Sequence, residues 1–143
     1  MLGRAVLDTD VLVAAVRSSR GASRVLLTAA LERRCPVLAS VPLMLQYESV
    51  LTRTEHLAAA GISAADVDTL LDAIALVAEP IRISFLWRPV LPDPGDDLVL
   101  ETAVNGRADI VVTFNRRHFE AAAGPFGLEI VAPADAVRRL ENR

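Results

Sequence analysis

Lysine is absent from this 143-residue sequence, since all 15 of its basic residues are arginine. This excludes every mechanism that depends on a lysine side chain. Cysteine occurs once, at Cys35, which excludes an internal disulfide framework and a cysteine-built zinc site. No apolar run approaches the roughly 20 residues that span a bilayer, and no signal-peptide pattern opens the sequence. We therefore expect a cytoplasmic protein with no membrane segment.

The composition that remains is typical of a globular domain. Hydrophobic residues make up 52% of the chain and its mean hydropathy is +0.38, so disorder is not expected. A chain of this length buries roughly 70% of its unfolded surface, and we expect a single domain over residues 1–143. The net charge of −3 provides no overall attraction for nucleic acid, so any such role depends on where individual charges lie.

Short apolar runs alternate with segments of helical periodicity, a pattern typical of βαβ units. The sequence predicts an α/β fold, a three-layer domain with a mostly parallel sheet of five strands. Strands are expected at residues 5–7, 36–39, 81–86, 110–112 and 129–131. Helices are expected at residues 11–16, 23–33, 40–53, 63–78, 96–105 and from Pro133 onward, with a loop enforced by Pro89, Pro92 and Pro94.

Two acids stand where the first predicted strand ends. Asp8 follows the apolar run at residues 5–7, and Asp10 precedes the first helix. In open parallel sheets, ligands bind beyond the carboxyl ends of the strands, so Asp8 is a candidate site residue. The alternative is that these acids only cap the helix, and it carries more weight for Asp10 than for Asp8.

Glu48 is predicted to lie on an apolar face of its helix. Its neighbours one turn away are Met44, Leu45 and Leu51. Because an unpaired charge on such a face is costly, we expect Glu48 to have a partner, which is an arginine, a proton or a metal ion.

A third group of acids occurs at residues 93–97. Asp96 is predicted to point inward from the start of its helix, whereas Asp97 lies one turn from Glu101, where two like charges are unfavourable without a cation. An acid cluster that complements the helix dipole explains one acid better than four. We therefore expect one acidic patch that includes Asp8. Such oxygen ligands suit Mg²⁺ or Mn²⁺, which support phosphodiester hydrolysis without lysine or histidine.

Four segments, in the same order, resemble motifs of PIN domains, the metal-dependent nuclease family that includes VapC-type toxins. Residues 6–12 (VLDTDVL) resemble the opening LDTN or LDTS motif, and residues 46–53 (QYESVLTR) are similar to the EyeevLxR helix of one branch. Residues 93–103 (DPGDDLVLETA) resemble DPxDxxxLExA, and residues 108–113 (ADIVVT) resemble the AdxivT strand. Together the four segments extend the resemblance over nearly the whole chain.

This resemblance implies strand order 3-2-1-4-5 and cleavage of single-stranded RNA that leaves a 5′-phosphate and a 3′-hydroxyl. It assigns the metal ion to Asp8, Glu48 and Asp96. Asn115 stands where the family usually has a fourth acid and can still coordinate through its carbonyl oxygen. His118 also replaces a usual acid. Supporting roles fall to Thr9, Asp97, Glu101 and Thr113. The resemblance further implies a homodimer and a small antitoxin partner of a type II toxin–antitoxin pair.

Several arginines are candidates for binding the phosphates of an RNA substrate, to which guanidinium groups are well matched. The equally supported alternative is a solvated, ion-paired surface. These candidates are Arg17, Arg20, Arg116 and Arg117.

Two other readings compete with the nuclease. A haloacid-dehalogenase-type phosphatase shares an acid-x-acid motif at its first strand, but it normally uses a lysine, which this sequence lacks. A PIN fold kept as an RNA-binding or protein-interaction scaffold is the stronger rival, because Asn115 replaces an acid. Glu48 on an apolar helix face is the feature expected to separate the two, since a scaffold has little reason to keep an acid there.

Overall fold

The computed structural model describes residues 2–84 and 94–142. Its strands are β1 (Ala5–Leu7), β2 (Leu38–Ala39), β3 (Glu79–Pro80), β4 (Ile110–Val112) and β5 (Glu129–Val131). Its helices are α1 (Thr9–Arg17), α2 (Ala22–Leu31), α3 (Val41–Leu51), α4 (Thr54–Ala60), α5 (Ala64–Val77), α6 (Pro94–Gly106), α7 (Arg116–Phe126) and α8 (Pro133–Glu141). No helix within the described ranges is long and apolar enough to cross a membrane.

The strands pair in parallel but form two sheets. The main sheet has the order β1-β4-β5, and β2 pairs with β3 in a smaller sheet. One isolated bridge, between Ala5 and Val37, connects them. The predicted α/β class with a parallel sheet is confirmed. The predicted continuous sheet of five strands in the order 3-2-1-4-5 is not found among the described residues, because the main sheet has three strands and the short strands β2 and β3 are joined to it by the bridge between Ala5 and Val37.

The helix boundaries follow recognisable local signals. Ser63 and Asp66 form the predicted capping box at the start of α5, each side chain accepting a hydrogen bond from the other's backbone N–H. Ser40 caps α3 by accepting from the Leu43 N–H, with Pro42 in the first turn. These contacts satisfy backbone donors that a helix start leaves free.

Some predicted elements differ from those observed. The helix expected to run to residue 53 ends at Leu51, and α4 and α7 were not expected at all. The strand expected at residues 81–86 is replaced by β3, followed by irregular backbone at residues 81–84. Residues 85–93, with the rest of that strand and most of the proline-rich loop, lie outside the described residues.

The register of β1 and β4 brings two strand ends together. Leu7 pairs with Val112, and the N–H of Asp8 donates to the carbonyl of Val112 at 2.9 Å. Both strands are completely buried, as expected for parallel strands covered by helices. Asp8 and Thr113 are therefore the first residues beyond adjacent strand ends, and α1 brings α3 and α4 to the same place.

A glycine at the end of α6 controls how closely this helix approaches the smaller sheet. A Cβ atom at Gly106 would lie 2.5 Å from Cδ2 of Leu38 and 2.9 Å from Cδ1 of Ile81. Because Leu38 is buried and cannot turn away into solvent, we expect Gly106→Ala to lower the free energy of unfolding by about 1–3 kcal/mol in urea denaturation. Gly124→Ala is the matched control, since no atom would lie within 4 Å of its Cβ, and we expect no loss there. Equal stability of the two variants would contradict this packing argument.

Candidate active site at the ends of β1 and β4

Asp8 is held in place by both of its neighbouring strand ends. Its Oδ1 accepts from the N–H of Thr9 at 2.7 Å, and its Oδ2 accepts from the hydroxyl of Thr113 at 2.7 Å. The side chain is only 5% exposed. Asp8 does occupy the N-cap position of α1, as the capping alternative proposed, but its second oxygen bonds across the sheet to β4. The capping role therefore accounts for only one of its two oxygens.

Burial raises the pKa of Asp8 above its ordinary value of 3.8. The hydrogen bonds from Thr113, Thr9 and Asp10, and the nearby charge of His118, oppose this increase without cancelling it. Asp8 and Asp10 both line the cleft, so their two carboxyl groups lie at the same strand end.

Asp10 is bound to the second strand end by the residues that follow Thr113. Its Oδ2 accepts from Nδ2 of Asn115 at 2.8 Å and from the N–H of Phe114 at 3.2 Å. The N–H of Asn115 in turn donates to the hydroxyl of Thr113 at 2.9 Å. Asn115 is the N-cap residue of α7, yet its side chain does not cap that helix. Its amide binds Asp10 instead. Asp10 therefore belongs to the site, although the capping alternative carried more weight for it in the sequence.

Helix α3 presents one face to this pair of acids. Gln46 and Val50, four residues apart on α3, line the same cleft as Asp8, and so does Arg53, the N-cap residue of α4. The adjacent face of α3 is fixed to the core by Tyr47, whose hydroxyl donates to the carbonyl of Leu7. Burial and the charge of Asp8 raise the pKa of the Tyr47 hydroxyl. Tyr47 therefore determines which side chains of α3 face the cleft.

The structure does not bring Glu48 to Asp8, contrary to the interpretation of its sequence neighbours. Glu48 is exposed on the side of α3 opposite Gln46, two residues and about 200° away around the helix. The apolar residues that predicted a buried face include Leu45, which is itself 60% exposed. In the EyeevLxR motif that this segment resembles, the first acid aligns with Gln46. The cleft therefore contains an amide where an acid was expected.

Two histidines complete the cleft. It is open, with a volume of about 500 Å³, and includes His56 from α4 and His118 from the first turn of α7. Neither was expected to contribute, because their sequence separation gives no ligand spacing. The described residues that line the cleft are Asp8, Thr9, Asp10, Val13, Gln46, Val50, Arg53, His56, Asn115 and His118.

The remaining acids predicted for the site lie on α6. Asp97 and Glu101 are each 1% exposed, so both are buried, and each takes part in further interactions. Neither is among the described residues that line the cleft. The side chain of Asp96 lies outside the described part of the structure. The grouping of Asp96, Asp97 and Glu101 with Asp8 therefore stays a prediction.

The predicted RNA-binding arginines lie at other places on the surface. Arg17, Arg20, Arg116 and Arg117 are all exposed, and none of them lines the cleft around Asp8. Arg116 instead contributes to a separate groove between α7, β5 and α8.

The donor set of the cleft fits a weakly held divalent cation. Mg²⁺ is commonly bound by one or two carboxylates, with water molecules and substrate phosphates as its other ligands. Asp8 and Asp10 supply two carboxylates that a cation would neutralise, and Asn115 can add a carbonyl oxygen. Among the described residues, no three histidine, cysteine or acidic side chains form a closed metal cage. A tightly enclosed ion such as structural zinc does not fit.

The raised pKa of Asp8 predicts a cost of ionisation in the folded state. Protonated Asp8 adds to the stability of the folded state below pH 3.8, and this stabilisation is lost as the pH rises through the higher pKa of the folded state. In the presence of a chelator at neutral pH, we expect Asp8→Asn to raise the melting temperature by a few degrees, because it removes the buried charge. In acid, the melting temperatures of Asp8→Asn and wild type should become equal.

Asp66→Asn is the control for this pH series, because we expect its effect on stability to depend on pH in the opposite direction. The Ser63 backbone and side chain hold the pKa of Asp66 below its usual value, so its stabilising effect is present at neutral pH and lost in acid. Thermal denaturation across pH should therefore show a lower melting temperature for Asp66→Asn at neutral pH. A melting temperature of Asp8→Asn below that of wild type at neutral pH would show that its hydrogen bonds outweigh its burial.

A family model matches most of the chain. The PIN domain model matches residues 4–117, about four-fifths of the chain. No curated protein and no solved structure matches the chain. The matched range contains both strand ends, all of α3 and α4, and Asn115. The chain belongs to the PIN-domain family, whose members are generally nucleases.

Proposed function

We propose that this protein is a metal-dependent endoribonuclease that cleaves single-stranded RNA. The observation that carries the proposal is the presence of Asp8 and Asp10 in one open cleft at adjacent strand ends. Holding the buried Asp8 near the half-buried Asp10 costs free energy in a protein that does not use them. A divalent cation bound between them, with a phosphodiester as a further ligand, accounts for that cost.

In this proposal, Asp8 and Asp10 hold the metal ion and Asn115 assists through its carbonyl oxygen. Thr113 keeps Asp8 oriented, and Asp96 is a further proposed ligand. Mg²⁺ or Mn²⁺ would polarise the phosphoryl group and supply hydroxide at neutral pH. Glu48 has no part in the mechanism, because it lies on the far side of α3.

The proposal predicts opposite results for two acids. Asp8→Asn should reduce Mn²⁺-dependent cleavage of single-stranded RNA at least about 100-fold, because it removes one of the two negative ligands. Glu48→Gln should cleave as wild type does, because its side chain faces solvent. The measurement is the initial cleavage rate on labelled RNA, with a chelator as the metal-free control.

Three outcomes would contradict the nuclease proposal. They are cleavage that survives the chelator, an Asp8→Asn variant as active as wild type, and a wild-type protein that cleaves no RNA with either metal. Loss of activity in Glu48→Gln would instead contradict the position of Glu48 on the far side of α3. Because Asp8→Asn is expected to be at least as stable as wild type at neutral pH, its inactivity would not result from unfolding.

A second candidate is a PIN fold that binds RNA or a protein without cleaving. The observation that favours it is the presence of two amides, Gln46 and Asn115, at positions where the motifs have acids. The feature expected to argue against a scaffold, Glu48 on an apolar face, is not found. This candidate predicts tight RNA binding with no cleavage in the assay above.

We further propose, from the family resemblance, that the protein is the toxin of a toxin–antitoxin pair and forms a homodimer. Induced expression in a bacterial host should then arrest growth, whereas expression of Asp8→Asn should not. A small protein encoded beside it should relieve the arrest. Unaffected growth during expression of an active nuclease would contradict the toxin role and leave the nuclease proposal intact.

A further inference from the structure

The hydroxyl of Thr9 and Nδ1 of His56 are buried polar atoms with no hydrogen-bond partner among the described residues. Thr9 is 6% exposed, and both residues line the cleft beside Asp8. Buried polar groups in folded proteins are nearly always paired, so these two atoms leave hydrogen-bonding capacity for a ligand beside Asp8.

Arg53 adds a positive charge to the same part of the cleft. Its side chain is exposed, and within residues 2–84 and 94–142 no ion pair neutralises it. Other arginines of the protein do pair, as Arg34 does with Glu32 and Arg139 with Glu129. Arg53 is the N-cap residue of α4, two residues beyond the end of α3, and it lines the cleft, so its guanidinium group is available to a ligand there.

The cleft contains two kinds of side chain. Asp8 and Asp10 form its acidic wall, whereas Thr9, Arg53 and His56 offer hydrogen-bond donors. The guanidinium group can bind two oxygens of one phosphate, and a hydroxyl and an imidazole N–H donate to the same kind of acceptor. A phosphate oxyanion accepts hydrogen bonds at every free oxygen and carries the charge that Arg53 requires.

We propose that Thr9, Arg53 and His56 form a phosphate-binding subsite that holds a phosphodiester of single-stranded RNA against the acidic wall. This inference rests on the proposed function and adds to it the residues that position the substrate. It assigns to Arg53 the binding of RNA phosphates that the sequence predicted for Arg17, Arg20, Arg116 and Arg117.

Equilibrium binding in a chelator tests this subsite without any cleavage. The probe is a short fluorescein-labelled oligouridylate, and its anisotropy is followed on titration with the full-length protein. We expect Arg53→Gln to weaken binding about tenfold or more, the loss typical of a charge-assisted hydrogen bond, and to reduce the salt dependence by about one phosphate contact. Thr9→Val, which removes only the hydroxyl from a side chain of the same shape, should weaken binding less.

Arg34→Gln is the matched control, because it removes the same charge from a surface site outside the cleft. We expect it to change affinity by less than about twofold. The imidazole signals of His56 in wild type should also shift when the oligouridylate is added. Inorganic phosphate should compete with the RNA if the subsite recognises the phosphate group alone.

Arg53→Gln with wild-type affinity would overturn the proposal, as would a loss no larger than that of Arg34→Gln or unchanged signals of His56. Arg53→Lys checks for misfolding, because it keeps the charge and should bind with intermediate affinity. Asp8→Asn should bind RNA in the chelator at least as tightly as wild type. If the protein binds RNA through Arg53 but never cleaves it, the subsite stands and the nuclease proposal is refuted. Failure of the subsite and failure of the nuclease proposal are therefore distinguishable.

Discussion

The site depends on one hydrogen bond, from the hydroxyl of Thr113 to the buried carboxylate of Asp8. It crosses between adjacent parallel strands and connects residues 105 positions apart in sequence. A buried carboxylate is tolerable only when its oxygens are hydrogen-bonded, so Asp8 requires β4 to lie in register beside β1. The same Thr113 hydroxyl accepts from the N–H of Asn115, which places the amide that binds Asp10. One short network therefore positions both acids.

The location of this network was accessible from the sequence, because it follows from strand ends. Asp8 and Thr113 each come directly after a fully apolar run of three residues, and parallel strands place such ends side by side. The part of the cleft that α3 forms could not be predicted in the same way. Val41 and Leu45 of α3 are 72% and 60% exposed, so counting apolar neighbours pointed to the wrong face and to Glu48. The spacing of Gln46 and Val50 was present in the sequence but has no chemical signature that separates it from any other helix face, and Arg53 lies beyond the end of α3.

The fold was predicted best where the local signals are strong. The capping box of α5 and the buried runs of β1 and β4 were expected and are found. Helix α7 was missed because it contains a Gly124-Pro125 pair, which normally indicates a turn. The continuous sheet was expected from apolar runs at residues 36–39 and 81–86, but ladder length depends on tertiary packing, and β2 and β3 are only two residues each.

The contact of Tyr47 with the carbonyl of Leu7 has a consequence for how this cleft can change in evolution. It attaches α3 to the strand that precedes Asp8 through a residue that does not line the cleft. The neighbouring position, Gln46, is only half-buried and makes no part of that hydrogen bond. The side chain at this position can therefore be exchanged between an acid and an amide with little effect on folding. In this architecture the catalytic chemistry can be altered or lost by single substitutions, while the protein itself continues to fold.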